Sequence, residues 1–114
     1  MSKEKKILIS SGGTGGHIIP ALSLYGFLKD KNYIVKLSSD LRGMTYIENI
    51  KKEEIKIIDT STMVKSKKFK SFFKIILAII KSFIFLIKDR PSLVIGMGGY
   101  SSFPICFSAV FLKI

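Results

Sequence analysis

Ile7-Leu8-Ile9-Ser10-Ser11-Gly12-Gly13-Thr14-Gly15-Gly16-His17 is the stretch on which the fold turns. A short run of β-formers ends in four glycines and then a histidine. The order is strand, tight turn, helix entrance. Glycine lets bare backbone N–H groups approach a ligand, and the N-terminus of the next helix adds partial positive charge. This junction is therefore where an α/β sheet holds phosphates. The same grammar returns at Leu93-Val94-Ile95-Gly96-Met97-Gly98-Gly99-Tyr100. Two such turns, each with its own strand and helix, point to a site for phosphorylated ligands.

Between the turns, strand and helix patterns alternate. Residues 6–11, 34–38, 55–59 and 93–97 read as strands. Residues 20–31 read as a helix with Pro20 in its first turn, Ala21, Leu24 and Leu28 along one face, and Asn32 as its stop. A short helix is expected at 44–50, a polar loop at 60–66, a long helix at 71–88 closed off by Pro91, and a last helix at 103–112. This order gives a Rossmann-like parallel α/β sheet with flanking helices and right-handed crossovers. The chain closes on Phe111-Leu112-Lys113-Ile114, where a doubly wound sheet normally adds another strand. The expectation is one partial domain over residues 1–114.

At 114 residues and 47% hydrophobic, the chain can bury a real core, and disorder is excluded as its main state. Its net charge of +11 attracts anions: nucleic acid, acidic lipid headgroups or pyrophosphates. Seventeen of the 19 basic residues are lysine, so part of that charge is compositional bias. No nucleic-acid-binding motif accompanies it, and no nucleic-acid partner is expected. Cys106 is the single cysteine, which excludes an internal disulfide. Its apolar neighbours Ile105 and Phe107 mark it as a buried, inert thiol. The apolar run after the N-terminus stops at Ser10, too soon for a signal peptide.

Other readings of residues 12–17 stand beside the phosphate reading. A dinucleotide fingerprint needs G-x-G-x-x-G, and from Gly13 the third glycine is replaced by Ile18. Asp40, after the second strand, still offers an acidic group for a ribose. A P-loop fails for want of a Lys-Ser/Thr pair after the glycines. A purely structural turn stays open, as does a packing or capping role for His17. At a helix entrance, a neutral imidazole can also take a proton from a sugar hydroxyl or donate to a phosphate oxygen.

Ser11-Gly-Gly-Thr-Gly-Gly-His-Ile-Ile-Pro-Ala-Leu22 resembles the opening of the MurG family, and Gly96-Met-Gly-Gly-Tyr-Ser-Ser-Phe-Pro104 resembles that family's second glycine loop. Those enzymes move N-acetylglucosamine from UDP onto the undecaprenyl-pyrophosphoryl muramyl-pentapeptide lipid of peptidoglycan synthesis. Order and spacing match as well. The resemblance implies a GT-B architecture, of which this chain covers the first part of the N-terminal, acceptor-side domain. A second chain supplying the donor half is one possible partner. By the same resemblance, Gly13, Thr14, Gly15 and Gly16 touch the UDP-sugar, and Gly98, Gly99 and Tyr100 help hold the lipid pyrophosphate. His17 is the candidate catalytic residue, assisting the attacking hydroxyl. The family inverts by direct displacement, with no metal or cofactor, at the cytoplasmic face of the bacterial inner membrane.

Departures accompany the likeness. The family places glycine, a small hydroxyl residue and then glutamate after the second strand, where this chain has Ser38-Ser39-Asp40-Leu41-Arg42-Gly43, with Glu48 as a distant acidic substitute. Phe103 precedes Pro104 where a small residue is common, which crowds the acceptor side. A non-catalytic module that recognises a pyrophosphoryl lipid without transfer remains a second reading. A fragment of a nucleotide-dependent oxidoreductase is a third.

Residues 72–87 are apolar enough to suggest a membrane span, but Lys74 and Lys81 interrupt them. Lys67, Lys74, Lys81 and Lys88 recur every seven residues and drift slowly along one side of a helix. Phe73, Ile76, Leu77, Ile80, Phe83, Ile84 and Ile87 are expected to pack on the sheet, leaving Ala78 and Phe85 near the lysines. Lys67, Lys70, Lys74, Lys81, Phe85 and Lys88 then form a face for an anionic membrane surface.

Overall fold

The computed structural model describes residues 5–58, 68–99 and 102–114. Four parallel strands form one sheet: β1 (Lys6–Ser10), β2 (Ile34–Ser39), β3 (Ile55–Ile57) and β4 (Leu93–Gly96). Three helices flank it: α1 (Gly15–Asp30), α2 (Lys68–Lys88) and α3 (Ser102–Phe111). The strand order is β3-β2-β1-β4. β1 therefore pairs with β2 on one side (Ile7 opposite Val35, Ser10 opposite Ser38) and with β4 on the other (Ile7 opposite Leu93, Ser10 opposite Gly96). The chain leaves β1 in one direction and returns to its other edge at β4. Such a reversal opens a crevice beyond the carboxyl ends of β1 and β4.

Alternation along β1 divides the core. Ile7 and Ile9 face α1, joining Ile18, Ala21, Val35, Leu37 and Ile47. Leu8 faces α2 and α3, joining Ile58, Ala78, Leu86, Ile105 and Ala109. All of these are nearly or fully buried.

The elements match the sequence expectation in kind and order, with instructive shifts. α1 begins at Gly15, five residues before Pro20, because Thr14 caps it in an extended conformation and its carbonyl accepts from His17 and Ile18 N–H. Asn32 follows this helix at φ 68°, the left-handed region that asparagine tolerates. In place of a helix at 44–50 there is a 3-10 turn at Leu41–Tyr46, started by the Asp40 side chain accepting from Arg42 N–H. The polar loop expected at 60–66 lies outside the described residues.

The expected orientation of α2 is corrected. The Ala78, Ser82 and Leu86 side is buried, while Phe72, Phe73, Ile76, Leu77, Ile80, Ile84 and Ile87 are exposed. Phe83 is half-buried. Small residues decide this: Ala78 and Ser82 let the helix approach its neighbours closely, where phenylalanine or isoleucine would hold it off. Buried Ser82 satisfies its hydroxyl on the Ala78 carbonyl one turn back, at 2.8 Å, and Ser108 of α3 donates to the Ile79 carbonyl at 3.2 Å.

Candidate functional site

Both glycine turns sit at the carboxyl ends of β1 and β4, and they touch. Gly12 N–H donates to the Gly98 carbonyl at 2.8 Å, and Met97 N–H donates to the Ser10 carbonyl at 2.8 Å. A Cβ placed on Gly99 would lie 2.6 Å from Gly12 Cα, and one on Gly12 would lie 3.0 Å from Gly99 Cα. Gly98 and Gly99 hold φ of 98° and 89°, a region that side chains other than glycine rarely enter. Glycine at 12 and 99 is thus required by contact between the loops, and at 98 and 99 by the direction the chain must turn.

His17 stands over this junction. Its ring rests against Gly98, where an added Cβ would meet Cδ2 at 2.9 Å and Nε2 at 3.1 Å. Its Nδ1 lies 2.8 Å from Thr14 Oγ1. This bond links tautomer to chemistry. If Nδ1–H donates to Thr14, Nε2 carries the lone pair and can accept a proton. If Thr14 donates to Nδ1, Nε2–H is a donor. Thr14, His17, Arg42, Gly99 and Phe103 line one open concavity of about 510 Å³. Phe103 is half exposed there, beside the second glycine turn.

Thr14 and Gly16 are exposed and Gly15 is half-buried. A Cβ on Gly16 would meet no atom within 4 Å, so its backbone borders open space. Gly13 is buried, and a methyl there would overlap the Asp40 carboxylate. Gly13 therefore shapes the loop, and its N–H is turned to Asp40 at 3.2 Å, which corrects its assignment to ligand contact. Gly98 and Gly99 are half-buried at the junction, and Tyr100 lies outside the described residues.

Asp40 overturns the ribose alternative. Its side chain is fully buried, and both oxygens are engaged. Oδ1 accepts from Arg42 N–H at 2.9 Å and from Arg42 Nε at 3.3 Å, and Oδ2 accepts from Arg42 Nη2 at 2.7 Å and from Gly13 N–H. A carboxylate spent on the protein's own loop cannot receive a sugar hydroxyl. Glu48 is exposed on a different concavity, with Met44, Ile47 and Ile50, and does not fill the acidic position. Arg42 is the site residue that the sequence reading missed. The available signal was an acidic residue ending β2 with an arginine two positions later and a glycine after it.

On α2, Lys74, Lys81 and Lys88 are exposed along one side of a groove whose other wall includes Lys56 and Ile57 of β3. Phe85 lines the same groove but is half-buried, packing its ring against the second core with Lys56 Nζ 5.5 Å from its centroid. The Lys70 side chain and all of Lys67 lie outside the described residues. Among the described residues, no helix is long and apolar enough to cross a membrane, and no three His, Cys, Asp or Glu side chains cluster as metal ligands would. Cys106 is half-buried rather than fully buried; it packs against Gly96, and partial burial pushes its thiol pKa up.

Residues 7–114 match the family model described as the glycosyltransferase family 28 N-terminal domain. Similar proteins include the UDP-N-acetylglucosamine–N-acetylmuramyl-(pentapeptide) pyrophosphoryl-undecaprenol N-acetylglucosamine transferase of Pelagibacter ubique, 39% identical over 97% of this chain and 31% of the relative. The enzymes of the same name from Bartonella tribocorum and Borreliella burgdorferi are each 36% identical, over 99% and 100% of this chain and 31% and 33% of their own lengths. The crystal structure of Acinetobacter baumannii MurG superposes with a TM-score of 0.81 at 25% identity, covering 96% of this chain and 33% of that one. The chain spans about a third of the length of each of these proteins.

Proposed function

The chain belongs to the family of glycosyltransferase family 28 N-terminal domains, and on that footing we propose that it is the acceptor-side wall of a transferase cleft. In this reading the full enzyme moves N-acetylglucosamine from UDP-N-acetylglucosamine to undecaprenyl-pyrophosphoryl muramyl-pentapeptide. One observation carries it: the two glycine turns are hydrogen-bonded together at the β1/β4 reversal and border one concavity with Thr14 and His17. Two strand ends and two helix entrances then converge where a diphosphate would lie. The family membership and the names of the relatives supply the substrate class.

The chemistry follows from the parts. The attacking hydroxyl oxygen forms a bond to the anomeric carbon from the face opposite UDP. The bond from that carbon to the UDP phosphate oxygen breaks, and configuration inverts. His17 Nε2 accepts the hydroxyl proton when Nδ1–H is donated to Thr14. Backbone N–H groups at Gly15 and Gly16 and the turn at Gly98–Gly99 face diphosphate charge. A single wall does not enclose a donor, so the 114 residues alone are expected to bind without turnover. The test is an amide NMR titration with a short-chain prenyl-pyrophosphoryl muramyl-pentapeptide. Perturbations concentrated at residues 12–17 and 97–99 support the reading, and their absence from both loops refutes it.

The membrane expectation carries over in altered form. Lys74, Lys81 and Lys88 border an apolar face of α2 formed by Phe72, Phe73, Ile76, Ile80, Ile84 and Ile87, all exposed. Lysines attract anionic headgroups at about 1 kcal/mol each, and the apolar strip inserts between them. This surface would bring a peripheral enzyme to a lipid-linked acceptor at the cytoplasmic leaflet. Changing the three lysines together to glutamate should abolish sedimentation with vesicles containing phosphatidylglycerol. Unchanged sedimentation would remove the surface from the proposal.

A further inference from the structure

Arg42 is one of only two arginines in a chain with 17 lysines. It is held in an unusual way. The Asp40 carboxylate, fully buried, takes the Nε and Nη2 edge of the guanidinium side-on at 3.3 and 2.7 Å. The same carboxylate receives N–H groups from Gly13 and Arg42. The first glycine loop and the turn after β2 are therefore fastened to one anchor, and the arginine is part of the fastening. Close packing fixes the junction: a Cβ on Gly13 would lie 2.7 Å from Arg42 Cβ and 2.5 Å from Gly43 N.

Away from the anchor, Arg42 is well exposed, at 43% of its side-chain area, and it lines the concavity with Thr14, His17, Gly99 and Phe103. Among the described residues it is the only Lys or Arg lining that concavity. A guanidinium is a planar fork of five donors, and binding one edge to a buried carboxylate removes most of its rotational freedom beforehand. Preorganised charge beside backbone N–H groups binds phosphate oxygens more tightly than a mobile lysine does.

We propose that Arg42, aimed by Asp40, is a diphosphate-binding residue of this site, contacting phosphate oxygens across the concavity from the Gly98–Gly99 turn. Asp40 is then a positioning residue. The inference rests on reading the concavity as a diphosphate site. The shared chemistry is a diphosphate, carried either by UDP or by a prenyl lipid.

The test is calorimetric titration of the 114-residue chain with inorganic pyrophosphate, then with UDP and with geranyl diphosphate. Arg42→Ala should weaken pyrophosphate binding at least tenfold. Arg42→Lys should recover only part of the loss, because a point charge lacks the fork. Asp40→Asn should weaken binding while leaving the arginine's charge in place. A larger loss toward UDP than toward geranyl diphosphate assigns Arg42 to the donor, the reverse assigns it to the acceptor, and either supports the proposal. If Arg42→Ala does not fold, Arg42→Gln, which keeps a donor for Asp40 but no charge, reads the same quantity. Pyrophosphate binding within twofold of the wild-type chain, in whichever of these two variants folds, overturns the role of Arg42 alone. A wild-type chain that binds no pyrophosphate overturns the diphosphate reading and this inference together.

Discussion

Replacing Gly99 by alanine should be strongly damaging, because the added methyl meets backbone on the opposing turn. Gly99 holds φ of 89°, where an L side chain crowds its own carbonyl at a cost of about 1–2 kcal/mol. The new Cβ would also sit 2.6 Å from Gly12 Cα and 3.0 Å from Gly12 N, where carbon atoms pack at roughly 3.5–4.0 Å. Both obstacles are backbone, so no rotamer change relieves them. The loops must part by roughly 1 Å. That stretches the 2.8 Å bond from Gly12 N–H to the Gly98 carbonyl past its useful range, for a further loss of about 1 kcal/mol. The sum is about 2–3 kcal/mol. With a urea m-value of about 1–1.5 kcal/mol/M for a domain of this size, the midpoint should fall by roughly 2 M.

Two companions calibrate the measurement. Gly26 lies inside α1 with nothing within 4 Å of an added Cβ, so Gly26→Ala should raise stability by about 0.5–1 kcal/mol. Gly98→Ala meets the His17 ring, which can swing away, so it should be less destabilising than Gly99→Ala while displacing the histidine. Urea unfolding followed by circular dichroism at 222 nm reads all three. If Gly99→Ala unfolds at the wild-type midpoint while Gly26→Ala moves upward, the contact between the two turns does not exist in solution, and the site argument falls with it.

Glu54 supplies a pH-dependent contribution. Its hydrogen bond from Lys29 and then that from Tyr25 hold its carboxyl below the ordinary value, against the opposing effect of burial. The folded pKa lies below the unfolded one, so the stabilisation is present above the unfolded value, near 4.3, and fades as pH falls through the folded value. Glu54→Gln should flatten the stability profile below about pH 5. Cys106 should react slowly with a thiol reagent at pH 8 in the native chain and rapidly in urea, and equal rates would contradict its packing against Gly96. Asp40→Ala should cost about 2–3 kcal/mol by leaving the Gly13 N–H without its acceptor, and a loss below 0.5 kcal/mol in urea unfolding would dissolve the anchor between the loops.

The sequence by itself carried the punctuation of this fold. Apolar runs ended by glycine, Pro91 before β4 and the alternation of Ile7, Leu8 and Ile9 are local consequences of backbone sterics and burial, so strands, helices and their order were legible along the chain. The family likeness rested on the same two glycine stretches. Tertiary structure alone decided three matters. It paired β1 with both β2 and β4, which brings Gly12 against Gly99 across most of the chain's length. It chose the inward side of α2: a helix apolar over most of its circumference names no unique buried face, and close approach selected Ala78 and Ser82 over the larger residues. And it turned Asp40 inward as the anchor of Arg42, because whether a carboxylate meets a ligand or its own loop depends on the space Gly13 and Gly43 leave around it, a three-dimensional fact that no spacing of residues expresses.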